Sequence, residues 1–420
     1  MRTHFGTDGV RGIVGDTLTP ALVERLGRAA TLWCSRGRIF VGRDTRRSGP
    51  ALEQALARGI VEGGGVAVLG GVLPTPAVAL LAQDLGVVVS ASHNPPEYNG
   101  VKFFDAEGHK LTDTAEGEIE GLLDKPGHGG GSVEHAASAI DGYVEHVVDH
   151  FGTDLSGSRI AVDCANGAFS GIAPNVFERL GAEVTAIANR PDGSNINLGC
   201  GATDLTLLQE VVRGGEFDLG VAFDGDGDRM LAVDEAGEPL DGDQIVAVLA
   251  LALGVQTVAV TSMTNLGFHR LMADRGIRVI TTDVGDRHVL EALRRAGAVL
   301  GGEQSGHVIY LHGHVTGDGL AAALLLCRCL EGRALSQAAA VMTRLPQVLE
   351  NVRVSRGSVP GSVRDEVSRL NARLSGRGRV LVRPSGTEPL VRVLAEAETE
   401  EEAASLCGSI AGLVRRDLGV

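Results

Sequence analysis

Short apolar runs alternate with segments of helical periodicity along most of the chain. In the first unit this pattern predicts a strand at 38–41, a helix at 48–63, a strand at 66–69 and a helix at 75–85. Strand, helix and strand return at 159–163, 171–180 and 183–187, and again at 257–261, 266–275 and 278–282. The repetition predicts an α/β protein with three diverged βαβ domains, whose sheets are mixed but mostly parallel.

The pattern changes from about residue 345 onward. The expected order there is a strand at 347–354, a helix at 363–374, strands at 379–382 and 390–395, and a helix at 400–416. This order is typical of a smaller α+β domain. We therefore expect four domains, at 1–153, 154–252, 253–344 and 345–420. The Gly-rich segment 126–132 is interpreted as a surface insertion in the first domain, because 139–151 resembles the closing helix of that domain.

Composition narrows the class of partner. The 420 residues carry a formal net charge of −15, and 44% of them are hydrophobic. Such a charge disfavours a general surface for nucleic acid or for an anionic membrane. The six cysteines form no Cys-x-x-Cys pair, and the apolar run 245–255 is too short to span a bilayer. The start of the chain has no apolar signal core, so we expect a cytoplasmic protein in a reducing compartment.

The segment 87–95 is the one around which the other motifs are organised. Three valines run into a small polar turn that two prolines end. The pattern predicts a buried strand whose carboxyl end delivers Ser92 and His93 into a cleft. Taken alone, the segment is more typical of an ordinary turn.

Asp224, Asp226 and Asp228 alternate with glycines just after the apolar strand 219–223. Three carboxylates in one turn suit a hard cation such as Mg²⁺. An EF-hand loop is the nearest competitor, and Glu235 falls where that loop has its last ligand. Arg229, however, stands where that loop needs glycine, and a strand rather than a helix precedes it. A purely structural acidic turn is the other alternative.

The segment 383–389 joins two strands of the last predicted domain. Its guanidinium, hydroxyls and glycine N–H predict an anion nest for a phosphate. The residues concerned are Arg383, Ser385, Gly386 and Thr387, with Arg392 on the next strand. The same composition is also typical of a plain turn.

Three further motifs carry weaker signals. Glu303 and Ser305 follow a short apolar run and could hydrogen-bond neighbouring sugar hydroxyls. Arg11 lies in a Gly-rich turn, from which a long cation could reach a cleft. Asp286 ends the segment 282–286, where helix capping is the simple alternative.

Together and in this order, the motifs resemble the α-D-phosphohexomutase superfamily, and the resemblance extends from residue 5 to residue 392. The motifs that carry it lie at 5–12, 91–95, 224–229, 302–307 and 383–389. The segments 5–12, 195–203 and 284–287 make the chain most similar to the bacterial phosphoglucosamine mutase branch. The phosphomannomutase/phosphoglucomutase branch usually carries histidine where Asp286 stands.

This resemblance implies four domains around a central cleft and an intramolecular phosphotransferase. It implies that Ser92 is phosphorylated in the active enzyme. It also implies one Mg²⁺ per subunit, held by the Ser92 phosphate and by Asp224, Asp226 and Asp228. Lys102 and Arg11 become the candidates for proton transfer or for stabilising the attacking hydroxyl. Lys102 ranks first because arginine is a poor base.

The remaining implied roles concern the substrate. Arg229 and His93 would help to hold the phosphoserine, and Glu303 and Ser305 would contact sugar hydroxyls. The distal phosphate would be bound by Arg383, Ser385, Gly386 and Thr387, with Arg392 beside them.

The implied reaction interconverts glucosamine 6-phosphate and glucosamine 1-phosphate, a step toward cell-wall precursors. It proceeds through phospho-Ser92 and a glucosamine 1,6-bisphosphate, with that or another hexose bisphosphate as activator. The alternatives are a phosphomannomutase or phosphoglucomutase, a metal-dependent phosphomonoesterase and a non-catalytic sugar-phosphate sensor. The expected partner is a small-molecule sugar phosphate, with a homodimer as candidate assembly and without nucleic acid or membrane.

Overall fold

The computed structural model describes residues 4–6, 8–354, 359–384 and 389–418. The chain forms two compact units. The larger unit consists of Met1–Ser262 and Ile277–Val341, and the smaller unit consists of Met263–Gly276 and Met342–Val420. The segments predicted as three α/β domains and one C-terminal domain contain four separate sheets.

The first sheet and its helices occupy the start of the larger unit. The elements are β1 (Val10–Ile13), α1 (Pro20–Trp33), β2 (Arg38–Arg43), α2 (Gly49–Gly63), β3 (Val66–Val72), α3 (Thr75–Leu80), β4 (Leu85–Val89), β5 (Tyr98–Phe104), α4 (Asp113–Glu120), β6 (Ser132–His135) and α5 (Ala139–Phe151). The six strands lie in the order β1-β5-β4-β2-β3-β6. Strands β2, β3, β4 and β6 pair in parallel, whereas β5 runs antiparallel to both β4 and β1.

Helices α1 and α2 pack closely over this sheet because two glycines let them approach. A Cβ on Gly59 would lie 1.9 Å from the carbonyl oxygen of Glu24, and one on Gly27 would lie 2.4 Å from that of Leu56. The apolar faces of both helices bury leucines and alanines in the core that they share with the strands. Strand β4 pairs with β2 and β5 inside the sheet, and its carboxyl end leads to Ser92.

Two details of the first domain differ from the sequence prediction. The helix predicted at 75–85 ends at Leu80, and Leu85 already begins β4. The intervening Asp84 accepts a hydrogen bond from the main-chain N–H of Arg38, so it forms a turn instead of a helical continuation. The residues that follow the Gly-rich loop form the short edge strand β6. The sequence did not predict this strand, because all four of its residues are exposed and give no apolar pattern.

The second and third sheets repeat the plan of the first. Their elements are β7 (Arg159–Asp163), α6 (Ala173–Arg179), β8 (Glu183–Ile187), α7 (Thr206–Gly214), β9 (Leu219–Phe223), β10 (Met230–Asp234), β11 (Pro239–Leu240) and α8 (Gly242–Ala252), then β12 (Thr257–Thr261), α9 (Leu266–Asp274), β13 (Arg278–Thr282), α10 (Asp286–Ala296), β14 (Leu300–Gly302), β15 (Val308–Tyr310), α11 (Gly319–Leu330) and α12 (Leu335–Ala339). A short 3₁₀ turn, Gly201–Thr203, precedes α7.

The three sheets share one strand order. It is β3-β2-β4-β5 in the first, β8-β7-β9-β10 in the second and β13-β12-β14-β15 in the third. In each set the first three strands are parallel and the fourth returns antiparallel. The predicted threefold repeat is therefore confirmed, with one antiparallel return strand in every copy.

The smaller unit contains an antiparallel sheet and its helices. After α12, the chain enters this unit and forms β16 (Gln347–Arg353), α13 (Gly361–Leu374), β17 (Arg379–Pro384), β18 (Leu390–Glu396) and α14 (Glu400–Leu418). The strands of the sheet lie in the order β16-β18-β17. Helix α9 also belongs to this unit, where the main-chain N–H of Leu266 donates to the carboxylate of Glu396. Among the helices of the described residues, none is both long and apolar enough to cross a membrane.

Candidate active site

Three loops of the larger unit occupy the same position in the three repeated sheets. Each follows the third strand of its set and precedes the antiparallel return strand: Ser92 follows β4, Asp224–Asp228 follow β9, and Glu303–His307 follow β14. The carboxyl ends of parallel strands are the usual place for ligands in such sheets. The fold thus provides three comparable loops, and side chains of the second loop lie close to side chains of both the first and the third.

Ser92 lies at the centre of the first loop, with only 1% of its surface exposed. Its backbone is left-handed, with φ of +53°, which is uncommon for a residue other than glycine. Its hydroxyl donates a hydrogen bond of 2.6 Å to Oδ2 of Asp224. The same Oγ lies 3.3 Å from Nδ1 of His93. The predicted nucleophile is therefore buried against the acidic turn of the second loop.

The three aspartates of that turn form one buried cluster. One carboxylate oxygen of each of Asp224, Asp226 and Asp228 lies within 4.8 Å of those of the other two. Among the described residues, Oδ1 of Asp226 and Oδ1 of Asp228 are buried and accept no hydrogen bond. Buried anionic oxygens without donors are what a hard divalent cation satisfies, so this donor set fits a metal ion.

Thr75 supports the acidic turn from the start of α3. Its hydroxyl donates to Oδ2 of Asp226 at 2.6 Å, and its main-chain N–H donates to the carbonyl oxygen of Asp226 at 2.8 Å. The threonine is buried and fixes both the side chain and the backbone of this aspartate. Sequence reasoning did not identify it, because it lies 151 positions away from its partner.

Lys102 lies among the carboxylates and is 1% exposed, so it is not a solvated end of a strand. Its Nζ lies 2.8 Å from Asp226, 3.2 Å from Asp8 and 3.6 Å from Asp228. Burial alone would lower the pKa of Lys102, but the three neighbouring carboxylates outweigh burial and raise that pKa above its ordinary value. The ammonium group is therefore charged at neutral pH.

Asp8 joins three cations beside this cluster. It forms ion pairs with Arg11 and Lys102, and its Oδ1 lies 2.6 Å from Nζ of Lys110. Burial tends to raise the pKa of Asp8, but these cations hold it well below its usual range. Lys110 continues the network to Asp286, at 2.5 Å. Asp8 and Lys110 were not identified from the sequence, although Asp8 stands in the quoted motif 5–12.

The third loop contributes His307, which is buried between two acidic groups. Its Nδ1 lies 3.8 Å from Asp228, and its Nε2 lies 3.5 Å from Asp286. Burial opposes protonation, but Asp286 and Asp228 raise the pKa of His307 above its ordinary value. Glu303 is nearly buried and accepts a hydrogen bond from the N–H of Gly285, whereas Ser305 is exposed.

The pKa shifts within the acidic cluster have opposite directions. Burial and the charges of Asp228 and Asp226 raise the pKa of Asp224 well above its ordinary value. Burial would also raise the pKa of Asp228, but Lys102 and His307 bring it well below its ordinary value. Arg229 donates its main-chain N–H to Asp224 at 3.2 Å.

Two of the sequence alternatives do not describe this site. In an EF-hand, Glu235 would bind the same cation as the aspartates. Instead, its carboxylate accepts hydrogen bonds from the hydroxyl and the N–H of Ser336. Asp286 is the first residue of α10 and not its cap, because the capping position is Gly285. The carboxylate of Asp286 is instead paired with Lys110.

The residues expected to bind a distal phosphate lie in the smaller unit. Arg383 on β17 stands directly opposite Arg392 on β18 in the strand register. Residues directly opposite each other in an antiparallel pair have their side chains on the same face of the sheet. An anion bound on that face would offset the repulsion between the two arginine charges. Ser385, Gly386 and Thr387 lie outside the described residues.

Models of the phosphoglucomutase/phosphomannomutase family match four successive parts of the chain. The alpha/beta/alpha domains I, II and III match residues 2–128, 141–237 and 241–345, and the C-terminal domain matches residues 332–413. The chain therefore belongs to the phosphoglucomutase/phosphomannomutase family. Its enzyme class is that of the intramolecular phosphotransferases, as the sequence resemblance implied.

Individual relatives narrow the similarity further. The chain is 47% identical over 442 residues to a protein named phosphoglucosamine mutase from Pelotomaculum thermopropionicum, with 99% of each chain covered. A crystal structure of a phosphoglucomutase/phosphomannomutase family protein from Burkholderia thailandensis matches with a TM-score of 0.84 and 25% identity, over 97% of this chain and 96% of that one. The Aspergillus fumigatus N-acetylphosphoglucosamine mutase in complex with GlcNAc-6P and magnesium has the same fold, with a TM-score of 0.74 and 20% identity, over 100% of this chain and 96% of that one.

The environment of His93 gives a testable prediction. Burial, Arg229 and Arg11 lower the pKa of His93 from 6.5 to about 4. In unphosphorylated protein without divalent cations, we expect its imidazole to stay neutral from about pH 8 down to about pH 5. Because the unfolded chain binds this proton at higher pH, His93 reduces the free energy of unfolding as the pH falls below 6.5.

Imidazole ¹H–¹⁵N NMR spectra recorded across this pH range test the prediction, with the His93 signal assigned from a His93→Gln variant. A titration midpoint for His93 near 6.5 would contradict the described environment.

Proposed function

We propose that the chain interconverts glucosamine 6-phosphate and glucosamine 1-phosphate, with Ser92 as the group that carries the phosphoryl. The observation that carries the proposal is the contact of the buried Ser92 hydroxyl with Asp224, inside a cluster of three carboxylates and one lysine. The choice of sugar is supported by the 47% identity to a phosphoglucosamine mutase over 99% of each chain.

The proposed reaction has two transfers. Phospho-Ser92 first gives its phosphoryl group to the free hydroxyl of the substrate, which forms glucosamine 1,6-bisphosphate. The bisphosphate then turns over in the site and returns its other phosphoryl group to the Ser92 hydroxyl. In each transfer one O–P bond forms and one breaks, and the attacking hydroxyl loses a proton while the leaving oxygen gains one. The product therefore differs from the substrate only in the position of its phosphate.

Mg²⁺ is the proposed cofactor, with Asp224, Asp226, Asp228 and the Ser92 phosphate as its ligands. When bound, it would offset charge on the transferring phosphoryl group and act as a Lewis acid. The two carboxylate oxygens that accept no hydrogen bond support this assignment. A hexose 1,6-bisphosphate is the proposed activator, because it can phosphorylate Ser92.

Lys102 and Arg11 are the proposed groups for stabilising the attacking hydroxyl and for proton transfer. The raised pKa of Lys102 keeps its ammonium group charged, which supports charge stabilisation more than it supports proton transfer. Both cations contact Asp8, so their positions are coupled. Arg229 and His93 are proposed to help hold the phosphate on Ser92.

The remaining proposed contacts are to the substrate. Glu303 and Ser305 would hydrogen-bond sugar hydroxyls. The phosphate that is not being transferred would bind Arg383, Ser385, Gly386 and Thr387, with Arg392. The register that places Arg383 opposite Arg392 supports this anion site.

The organisation of the protein completes the proposal. The domain boundaries at 1–153, 154–252, 253–344 and 345–420 each enclose one complete sheet, which supports them. A cytoplasmic location and a homodimer are retained as proposals.

The second candidate function is that of a phosphomannomutase or phosphoglucomutase, which the name of the matching family favours. A simple phosphomonoesterase would not need the distal phosphate motif at 383–387. A non-catalytic sensor would not need Ser92, Lys102 and the three aspartates together.

The first prediction concerns the sugar. With glucosamine, glucose and mannose 6-phosphates compared in a coupled assay, we expect the highest kcat/KM for glucosamine 6-phosphate, by at least about tenfold. A preference of that size for glucose or mannose 6-phosphate would favour the second candidate function.

The second prediction concerns the nucleophile. Intact-mass and peptide analysis of active enzyme should find one phosphate per chain, on Ser92. That phosphate carries about −1.5 to −2 charges, which Lys102 and the bound cation would offset. Dephosphorylated enzyme should be almost inactive and regain activity with catalytic amounts of glucose 1,6-bisphosphate, whereas Ser92→Ala should stay inactive. Substantial activity of Ser92→Ala would rule out the proposed mechanism.

The third prediction concerns Thr75, which orients Asp226. Thr75→Val keeps the shape of the side chain and removes the hydroxyl, so Mg²⁺ affinity should fall about 10- to 100-fold, as for other residues that support metal ligands. Isothermal titration calorimetry measures this affinity without turnover. Thr75→Ser retains the hydroxyl and is the matched control. Equal affinity in Thr75→Val and Thr75→Ser would show that the hydrogen bond does not support the metal site.

A further inference from the structure

The main chain that follows Ser92 is bound by an unusually complete set of donors. Arg46, which follows β2, is fully buried and forms an ion pair of 2.8 Å with the buried Asp44. Its Nη1 donates to the carbonyl oxygens of Pro95 and Tyr98, and its Nη2 donates to those of Ser92 and Asn94. With Nε on Asp44, all five guanidinium N–H groups have an acceptor.

A second donor reaches the same main chain from the second sheet. Nδ2 of Asn197 donates to the carbonyl oxygen of Ser92 at 2.9 Å and to that of Asn94 at 3.3 Å. A carbonyl oxygen has two lone pairs, so Arg46 and Asn197 together saturate both carbonyls. Asn197 lies in the segment 195–203, which contributed to the family resemblance and has no role in the chemistry described above.

These contacts lie next to a strained residue. A non-glycine residue in the left-handed region costs on the order of 1–3 kcal/mol and persists only where its surroundings hold it. Ser92 has this conformation, and its N–H donates to the hydroxyl of Ser90, which in turn donates to Asp44. The conformation directs the Ser92 hydroxyl to Asp224. The residue at this position is not a glycine, so the left-handed backbone is not one that the local sequence favours.

We propose that Arg46 and Asn197 are positioning residues, which act through the main chain of residues 92–98 to hold the Ser92 oxygen in line for phosphoryl transfer. The proposal rests on the proposed role of Ser92 as phosphoryl carrier. Arg46 holds the loop from its own sheet, and Asn197 holds it from the second sheet, beside the acidic turn. Neither residue touches the reacting atoms.

Asn197→Gly tests the proposal with little backbone cost. Asn197 has φ of +57°, a conformation that glycine adopts freely, so the variant removes only the side chain. Asn166→Gly is the matched control, because Asn166 also has a left-handed backbone, with φ of +48°. The side chain of Asn166 contacts Asn195, Arg190 and Cys200, and it forms no hydrogen bond with the serine loop.

The measurement is single-turnover phosphorylation of the dephosphorylated enzyme by glucose 1,6-bisphosphate, followed by intact-mass analysis. A misplacement of about 1 Å can cost about 100-fold in rate, so Asn197→Gly should lose about tenfold or more. Its KM for glucosamine 6-phosphate should stay within about twofold, because the substrate contacts are intact. Asn166→Gly should phosphorylate at nearly the wild-type rate, with a similar melting temperature to that of Asn197→Gly.

Arg46→Lys provides a second test. Lysine keeps the charge beside Asp44 but has three donors in place of five, so it cannot bind all four carbonyls. A loss of rate at least as large as that of Asn197→Gly, without a matching rise in KM, supports the proposal.

The outcomes separate this proposal from the proposed function. If wild-type enzyme takes up no phosphate on Ser92, the proposed function fails and the positioning role fails with it. If the wild type is phosphorylated and Asn197→Gly reacts at the same rate, only the positioning role is overturned. Equal losses in Asn197→Gly and Asn166→Gly would also overturn it, because the effect would then be a general loosening of the second sheet's loops.

Discussion

Three carboxylates buried in one turn repel each other, and the local structure depends on how that repulsion is offset. Removing each ion from water costs several kcal/mol, which only close partners can compensate. Lys102 provides the cation, Thr75 provides a hydroxyl and a main-chain N–H, and Ser92 provides a further hydroxyl. Two carboxylate oxygens still have no donor among the described residues, so the turn retains capacity for a divalent cation. The hydrogen bond from Ser92 to Asp224 thus stabilises both the position of the proposed nucleophile and the acidic turn.

The repeated topology explains how such a cluster can be assembled. In each of the three sheets, the third strand of the shared order ends in a loop that leads to an antiparallel return strand. The loop and return strand of each copy also bring one basic side chain to the aspartates: Lys102 within β5, Arg229 just before β10 and His307 just before β15. Each of the three diverged copies therefore brings one basic side chain close to Asp228, although Lys102 lies further along its return strand than the other two.

Much of this arrangement could be predicted, because it is encoded locally. The strands at 159–163, 183–187 and 257–261 were predicted with their exact bounds, since apolar runs between polar turns are local signals. The aspartate turn was evident for the same reason.

Thr75, Arg46 and Asp8 were missed because their roles arise from contacts across the fold. A signal for Arg46 was present in the charged run 43–47 after a buried strand. The helix at 75–85 was extended too far, because periodicity could not reveal the turn made by Asp84.

The assignment of α9 to the smaller unit has a consequence for dissection of the protein. Both amide atoms of Asn265 bond to the main chain of Leu345, and Arg379 bonds to the carbonyl oxygen of Thr264. A fragment beginning at residue 345 would lack these partners and would leave Glu396 without its bond from Leu266. The segment 345–420 is therefore not an independent module that can be excised or transplanted as one contiguous piece. A recombinant chimera would have to exchange the segment Met263–Gly276 together with the C-terminal sheet.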